Sequence, residues 1–357
     1  MLETIQVGPC KDAYEMGFLV GQRFSNVIRS RLSKDLILQD QLRPFSKTTP
    51  AISLIASLSD NNRRRYPNYW EELRGTAEGS GVSLLDIILL NFRKEILPFL
   101  AKGDTSAADD CSDVLVVNDT MAIAAHNEDA NVGLVGHTYL VNATLPNGLS
   151  YTGYTYAGEL PSCAFGFNSS GLAFTLNSVP PCKNEIMPGG IGRNFVSRDL
   201  LEATDIDDAL QRIRSAEVSV GHSYNLVDMS RRRILNVETA SNKRISVREI
   251  GATPFFHANM YLHLQVDQVK DDNSASRQAR AAILPKRSKE DIMKLLGDTE
   301  DEQYPIYMKG PTLYTLCTAV VDLDDQTLAI IEGNPKKGGI SHVFSVPSTG
   351  HNAIASS

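Results

Sequence analysis

The spacing of hydrophobic residues divides the chain near residue 110. Before that point apolar positions recur with the 3.6-residue period of helices, as in the stretch from Ala13 to Leu32. A second helix is predicted to end near Gly81, and Ser83 followed by Asp86 predicts the start of a third. Residues 102–110 are small and polar, which predicts a loop that ends this helical part.

From Cys111 onwards, short apolar runs separated by turn residues predict a series of β-strands. The predicted strands are Val114–Val117, Met121–Ala125, Thr138–Ala143, Leu149–Tyr156, Cys163–Phe167, Leu172–Leu176, Ser223–Asp228, Ile234–Glu238, Ile245–Glu249, Leu313–Asp322 and Thr327–Glu332. The predicted helices between them are Arg198–Ala203, a helix capped by Asp205, Arg277–Leu284, and Lys289–Leu296 capped by Ser288. Because helices and strands come in blocks, the pattern favours a layered α+β fold with mostly antiparallel sheets over a Rossmann or TIM fold.

Composition and net charge argue against several classes of protein. The 357 residues suffice for one large domain or two ordinary ones, and 42% hydrophobic residues with 22% charged residues are typical of a globular chain. A net charge of −7 without a long basic run gives no footprint for nucleic acid, and no apolar stretch is long enough to span a membrane. No secretory signal is visible, so the five cysteines predict free thiols and a cytoplasmic location.

The common metal and nucleotide motifs are not present. None of the seven histidines belongs to an HExxH motif, and no two cysteines have C-x-x-C spacing, so a metal site is not expected. Residues Gly189–Gly192 resemble a phosphate-binding loop but lack Gly-Lys-Ser/Thr and a preceding strand. We therefore predict neither a metal nor a cofactor.

Cys111 is the candidate nucleophile that remains. It lies at the boundary between the helical part and the strands, directly after the polar loop. An unpaired cysteine is more often a small buried residue than a catalytic one, so residue type alone leaves both interpretations open.

Several segments, in order along the chain, resemble the acyl-coenzyme A:6-aminopenicillanic acid acyltransferase family. This is cysteine peptidase family C45 of the self-processing N-terminal-nucleophile enzymes, whose members include isopenicillin N acyltransferase and hydrolases of N-β-alanyl amines. The similar segments are Asp110–Asp113, His126–Asp129, Glu15–Gly17 with Gly21, Leu73–Gly75, Leu90–Arg93, Gly166–Leu172, His257–Asn259, Ser274–Arg277 and Lys309–Leu313. A single short motif is weak evidence for a family. Many such motifs in the family's order, over most of the chain, are stronger evidence.

The resemblance implies a four-layer αββα fold made as an inactive precursor, or zymogen. In such enzymes the Cys111 thiol would attack the Asp110 carbonyl, and autoproteolysis would yield a helical fragment, residues 1–110, and a catalytic fragment, residues 111–357. The two fragments would stay associated as one αββα domain. The freed α-amino group, with a pKa of about 7.7–8.0, can accept the thiol proton, which an amide nitrogen cannot do.

The resemblance also implies roles for individual residues. Asp129 falls at the family's aspartate and would accept hydrogen bonds from the new amino group. Asn259 matches the residue whose side-chain amide lines the oxyanion hole, and Asn177 is a second candidate for an oxyanion or substrate contact.

Two positions depart from the acyltransferase pattern. Lys309 stands where that pattern has arginine, and lysine is a point charge rather than a planar clamp for carboxylates. His126 and Glu128 also differ, which predicts a different pocket, with His126 and Lys309 as further substrate contacts. These departures argue against a penicillin-type substrate.

The resulting hypothesis is a self-processing cysteine amidohydrolase that acts on a small N-acyl amine. Hydrolysis of an N-β-alanyl amide is favoured because the penicillin-specific arginine is missing and hydrolysis needs no second substrate site. Two alternatives stay open: a coenzyme A-dependent N-acyltransferase of the isopenicillin N acyltransferase type, and an uncleaved, non-catalytic binding protein. The expected partner is a small-molecule amide, with no nucleic acid or membrane.

Overall fold

The computed structural model describes residues 2–100 and 110–346. The predicted polar loop therefore lies, except for Asp110, outside the described residues. The helices of the described part are α1 (Ala13–Arg23), α2 (Ser25–Lys34), α3 (Arg43–Ser46), α4 (Thr49–Arg65), α5 (Pro67–Ser80), α6 (Leu84–Asn91), α7 (Arg93–Ile96), α8 (Arg193–Leu200), α9 (Ile206–Ser215), α10 (Asp272–Ile283) and α11 (Lys289–Leu296).

The strands of the described part form two sheets that are antiparallel apart from one pair. They are β1 (Glu3–Val7), β2 (Asp110–Val117), β3 (Ala122–Asn131), β4 (Thr138–Thr144), β5 (Ser150–Tyr156), β6 (Phe165–Asn168), β7 (Leu172–Ser178), β8 (His222–Asp228), β9 (Arg233–Ala240), β10 (Arg244–Glu249), β11 (Phe255–His257), β12 (Leu313–Asp322), β13 (Thr327–Ile331) and β14 (Ile340–Ser345). The larger sheet has the order β1-β4-β5-β6-β7-β8-β9-β10, and the smaller has the order β11-β2-β3-β12-β13-β14. The exception is β1, which runs parallel to β4.

Three apolar cores separate four layers. The first lies between the helices from α1 to α9 and the larger sheet, with Phe24 and Phe174 among its members. The second lies between the two sheets and includes Leu115. The third joins the smaller sheet to α10 and α11 through Ala281 and Leu295. The α+β class and the αββα layering are thereby confirmed.

The predicted helix caps are also confirmed. The side chains of Ser83, Asp205 and Ser288 each accept a hydrogen bond from a backbone N–H in the first turn of the helix that follows. Such bonds satisfy N–H groups that have no partner within the helix.

Some predicted elements differ from the observed ones. The helix predicted from Ala13 to Leu32 is interrupted at Phe24, whose backbone leaves the helical region and separates α1 from α2. Helix α4 and strands β1, β11 and β14 were not predicted. The basic run Arg63–Arg65 is exposed and forms the last turn of α4.

Among residues 2–100 and 110–346, no helix combines the length and the hydropathy that a membrane crossing requires.

Candidate active site

Cys111 and Glu128 lie opposite each other on neighbouring strands, between the two sheets. The antiparallel register of β2 and β3 pairs Cys111 with Glu128 and Asp113 with His126. Side chains alternate between the two faces of a strand, so all four share the face that carries Leu115 of the core between the sheets. All four are buried. We call Cys111, Asp113, His126 and Glu128 the inter-sheet cluster.

Hydrogen bonds connect the inter-sheet cluster into a chain. Sγ of Cys111 lies 3.4 Å from Oε2 of Glu128, and the same oxygen lies 2.9 Å from Nε2 of His126. Nδ1 of His126 lies 3.0 Å from Oδ2 of Asp113. The thiol is thus linked through a carboxylate and an imidazole to a second carboxylate.

The larger sheet supplies a donor to each of these carboxylates. The Thr175 hydroxyl on β7 donates to Oδ1 of Asp113 at 2.6 Å. The Tyr156 hydroxyl on β5 donates to Oε1 of Glu128. Because each carboxylate is bound from both sheets, its orientation is fixed.

The electrostatics of the cluster keep the thiol protonated in the intact chain. Burial, followed by the neighbouring Glu128 carboxylate, raises the pKa of the Cys111 thiol well above its ordinary value. Burial alone would lower the pKa of His126, but the charge of Asp113 and the hydrogen bonds of the cluster raise it well above the usual range. These directions favour the neutral thiol of Cys111 and the protonated imidazole of His126.

The backbone nitrogen of Cys111, which belongs to the predicted cleavage bond, is held by Asn259. It donates to Oδ1 of Asn259 at 2.8 Å. Nδ2 of Asn259 donates to the Ser178 carbonyl oxygen at 2.9 Å. Since an amide group carries two hydrogens on nitrogen, Nδ2 has a second hydrogen that a substrate oxygen can accept.

Arg277 on α10 ties these groups together. Its Nη2 donates to Oδ1 of Asn259 at 2.9 Å, and its Nη1 donates to the Cys111 carbonyl oxygen at 2.6 Å and to the Ser112 hydroxyl at 2.9 Å. The same guanidinium lies 3.6 Å from the Asp110 carboxylate. The planar guanidinium therefore fixes both the strand end and the orientation of the Asn259 amide.

Asp129 is buried with one oxygen unpaired. Oδ1 accepts a hydrogen bond from the Thr315 hydroxyl, whereas Oδ2 has no partner in the described part of the chain. Burial raises the pKa of this carboxyl to about 7, against the opposing effect of Arg277. The register pairs Asp129 with Asp110, the residue before the predicted cleavage bond. An unsatisfied buried oxygen is costly, so this position is suited to receive another donor.

Asn177 and Lys309 are the remaining predicted site residues, and they differ in burial. The buried Asn177 side chain donates to the His257 carbonyl oxygen at 3.5 Å, and its neighbour Ser178 binds Asn259. Lys309 is exposed, with its ammonium nitrogen 5.8 Å from the Tyr307 ring centroid. The structure thus brings Cys111, Asp110, Asp129, Asn259 and His126 together, places Asn177 beside His257, and leaves Lys309 exposed.

Sequence reasoning gave no role to several residues that contact the site, among them Asp113, Arg277 and Thr175. Asp113 follows Cys111 by two positions on β2, so strand alternation could have placed both on one face. Arg277 ends the similar segment Ser274–Arg277 and begins a predicted helix, and neither feature indicates a contact with Cys111. Thr175 comes from the other sheet, and its sequence neighbourhood contains no signal for this contact.

The inter-sheet cluster contains a donor set of the kind that binds metals. A ligand atom each from Cys111, His126 and Glu128 lies within 4.8 Å of the others. Sulfur, imidazole nitrogen and carboxylate oxygen are ligands that Zn²⁺ accepts. Here the three groups are hydrogen-bonded to one another, and the absence of a metal stays a prediction.

Comparison with known proteins identifies the family of the chain. The sequence profile of the family described as acyl-coenzyme A:6-aminopenicillanic acid acyl-transferase matches residues 116–337. Beta-alanyl-dopamine/carcinine hydrolase of Drosophila melanogaster is 25% identical over 356 residues, covering 91% of this chain and 91% of its own. The 40 kDa form of acyl-coenzyme A:6-aminopenicillanic-acid-acyltransferase of Emericella nidulans is 26% identical over 178 residues, or 48% of each chain.

Among solved structures, the Caenorhabditis elegans ortholog of N-acylethanolamine-hydrolyzing acid amidase aligns with a TM-score of 0.41 and 13% identity. The alignment covers 66% of this chain and 100% of the other. That likeness is too distant to support an assignment.

The four layers around a buried thiol define an α+β protein of the αββα type. The chain belongs to the acyl-coenzyme A:6-aminopenicillanic acid acyl-transferase family, because the matching profile spans more than half of its residues. Membership confirms the predicted resemblance and the predicted enzyme class of amide hydrolases and acyltransferases. Asp129 and Asn259 lie within the matched residues, whereas Cys111 lies just before them, and the individual roles stay predictions.

Proposed function

We propose that the chain is a self-processing N-terminal cysteine amidohydrolase that acts on a small N-acyl amine. The observation that carries this proposal is the environment of the Cys111 nitrogen. Asn259 accepts a hydrogen bond from that nitrogen. The buried Oδ2 of Asp129 has no hydrogen-bond donor in the described residues. Both features suit a free amino group at Cys111.

Self-cleavage would create that amino group. The Cys111 thiol attacks the Asp110 carbonyl, the peptide rearranges to a thioester, and hydrolysis leaves residues 1–110 and 111–357 as separate fragments. Before this event the thiol has no amino group to act as its base, so the uncut chain is a zymogen. Afterwards an amine with a pKa of about 7.7–8.0 lies on the same residue as the nucleophile.

Two residues would then serve the mature site. Asp129 accepts hydrogen bonds from the α-amino group through its unpaired oxygen. Asn259 holds the amino group through Oδ1 and offers its second Nδ2 hydrogen to the oxyanion that forms when Cys111 attacks the substrate amide. Water releases the acyl group from the sulfur and completes the hydrolysis.

The substrate class is drawn from the relatives. A hydrolase whose name gives β-alanyl-dopamine and carcinine as substrates aligns over nearly the whole chain. We therefore favour an N-β-alanyl amine as substrate, with His126, Asn177 and Lys309 near the bound molecule. A coenzyme A-dependent N-acyltransferase is the second candidate, because the family profile and a second relative have that activity in their names. Release of free coenzyme A from an acyl-coenzyme A, measured with and without an amine, separates the two.

Free thiols support a reducing compartment. All five cysteines are unpaired, which agrees with the predicted cytoplasmic location. We also propose that the two fragments stay associated after cleavage.

Intact-mass measurement with N-terminal sequencing tests the processing step. We expect two fragments, with a new N-terminus at Cys111, in protein that hydrolyses N-β-alanyl amines. Cys111→Ala abolishes both cleavage and hydrolysis. Cys163→Ala, the control at another buried cysteine, abolishes neither. Full activity in a chain whose bond between residues 110 and 111 is intact contradicts the proposal.

A further inference from the structure

Self-cleavage needs a proton acceptor before the amino group exists. In the intact chain the Cys111 nitrogen is a planar amide, which is not basic. Burial and the nearby Glu128 carboxylate raise the pKa of the thiol, so the intact chain does not hold a ready thiolate. Another group must therefore take the thiol proton as sulfur attacks.

Glu128 is in contact with that thiol. Its Oε2 lies 3.4 Å from Sγ of Cys111, within hydrogen-bond distance for sulfur. Asp129 comes next on β3, so its side chain points to the opposite face, where it binds Thr315. Both ring nitrogens of His126 face carboxylate oxygens, Nδ1 that of Asp113 and Nε2 that of Glu128. A nitrogen that donates to a carboxylate has no free lone pair to accept the thiol proton. We propose that Glu128 is the general base for Cys111 in the intact chain, a role that rests on the proposed self-processing.

The contacts of Glu128 suit proton transfer in a buried site. Tyr156 donates to Oε1 and His126 bonds to Oε2, so the carboxylate is held in one orientation toward the sulfur. Moving the proton as sulfur attacks shifts one negative charge from Glu128 to the Asp110 carbonyl oxygen and creates no additional charge. The cost of generating a new charge in a buried layer is thereby avoided.

The step balances as follows. A bond forms between Sγ of Cys111 and the Asp110 carbonyl carbon while the thiol proton moves to Glu128. The carbon–nitrogen bond then breaks, and Glu128 returns the proton to the Cys111 nitrogen, which leaves as an amine. Water hydrolyses the thioester, adding oxygen to the Asp110 carboxyl group and returning a hydrogen to sulfur.

The experiment follows cleavage of freshly synthesised full-length chain by intact mass over time. Glu128→Gln keeps the shape but cannot hold the proton, and we expect cleavage to slow by about 100-fold or more. Glu128→Asp retains a carboxylate, but its side chain is one methylene shorter and reaches less far toward Sγ of Cys111. Its cleavage rate should therefore lie between those of Glu128→Gln and the wild type. Glu95→Gln is the matched control, since Glu95 is equally buried but lies in the helical layer, where it accepts the Arg193 N–H at 2.9 Å. It should cleave at the wild-type rate.

The outcomes separate this inference from the proposed function. If the wild-type chain is cut and Glu128→Gln is cut at the same rate, Glu128 is not the base. The assignment is also overturned if His126→Gln slows cleavage more than Glu128→Gln does, because the histidine would then be the acceptor. A wild-type chain that is never cut contradicts self-processing itself. A melting temperature for each variant identifies loss of folding, and a folded Glu128→Asp that cleaves no faster than Glu128→Gln also overturns the assignment.

Discussion

Asp129 has a buried carboxylate oxygen that lacks a hydrogen-bond donor in the part of the intact chain that the structure describes. Its Oδ2 has no hydrogen-bond partner in the described residues, and burial raises the pKa of the carboxyl from 3.8 to about 7. An amino group formed beside it would supply the missing donor. In the intact chain, however, the charged form of Asp129 opposes folding.

The stability of uncleaved protein should therefore fall as the pH rises. Because the folded pKa lies above the unfolded one, unfolding releases a proton between roughly pH 4 and 7, and stability is lost across that window. For Cys111→Ala, which stays uncut, we expect Asp129 to lower the free energy of unfolding by about 3 kcal/mol between pH 5 and 8. Denaturant unfolding at both pH values measures this. Cys111→Ala/Asp129→Asn should lack most of the difference, and an unchanged difference would refute the raised pKa.

Asn259 should matter more for turnover than Asn177 does. Asn259 binds the Cys111 nitrogen directly, whereas Asn177 donates to the His257 carbonyl oxygen. Removing one oxyanion donor lowers the rate by about 10²–10³-fold, so we expect that loss in kcat per cleaved chain for Asn259→Ala. For Asn177→Ala we expect kcat per cleaved chain to fall by less than about tenfold, because the Asn177 side chain would contact only bound substrate. Equal losses in the two variants would reject Asn259 as the oxyanion donor.

At the scale of elements, helices α1 and α5 pack with their backbones in close contact through glycines. A Cβ atom at Gly17 would lie 2.0 Å from the Glu72 carbonyl oxygen, and one at Gly75 would lie 2.1 Å from that of Tyr14. Real Cβ atoms do not approach backbone oxygen so closely, so an added methyl group forces the helices apart. The glycines thus allow α1 and α5 to pack closer than larger residues would permit.

Gly17→Ala should destabilise the protein although alanine is the better helix former. Intrinsic propensity favours alanine by about 1 kcal/mol, but overpacking costs roughly 1–3 kcal/mol, and here the obstacle is backbone. We expect a net loss of stability and a lower thermal midpoint, measured by calorimetry. Gly251→Ala is the control, because a Cβ there meets nothing within 4 Å. A midpoint for Gly17→Ala at or above that of the control would contradict the packing argument.

The two strands that carry the site extend beyond the ends that the sequence predicted for them. β2 was predicted from Val114 but begins at Asp110, and β3 was predicted to end at Ala125 but continues to Asn131. The missed parts are polar, and polar residues at buried positions hide the alternation that identifies strands. Their pairing with the opposite strand and sheet is long-range, so the sequence could locate Cys111 at a boundary without revealing its partners.

Elements whose pattern lies within the local sequence were predicted well, because their prediction does not depend on long-range pairing. The helices capped by Ser83, Asp205 and Ser288 have a polar cap followed by apolar residues at helical spacing, and all three are observed. Strand β1 has a single buried residue, Val7, and pairs with distant β4. Its position depends on tertiary structure and could not be predicted locally.

At the scale of the whole molecule, residues before and after the proposed cleavage point share one core. Phe24 stacks on Tyr139 with ring centroids 3.7 Å apart, and β1 is hydrogen-bonded to β4. Arg31 makes a buried ion pair with Glu159, with Nη2 of the arginine 2.6 Å from Oε1 of the glutamate. Contacts of this kind are those of a domain interior rather than of a transient interface.

Cleaved protein should therefore migrate as one particle. We expect the two fragments to co-elute in native size-exclusion chromatography at about the 39.1 kDa of the intact chain or a multiple of it, and to separate only in denaturant. Arg31→Ala should weaken this association, because breaking a buried pair leaves Glu159 charged and unpaired at a cost of about 3–5 kcal/mol. Arg63→Ala removes an exposed pair with Asp60, worth about 0–1 kcal/mol, and should leave the association intact. Denaturant titration of each cleaved variant measures the difference, and fragments that separate in native buffer would show that the shared core does not hold them.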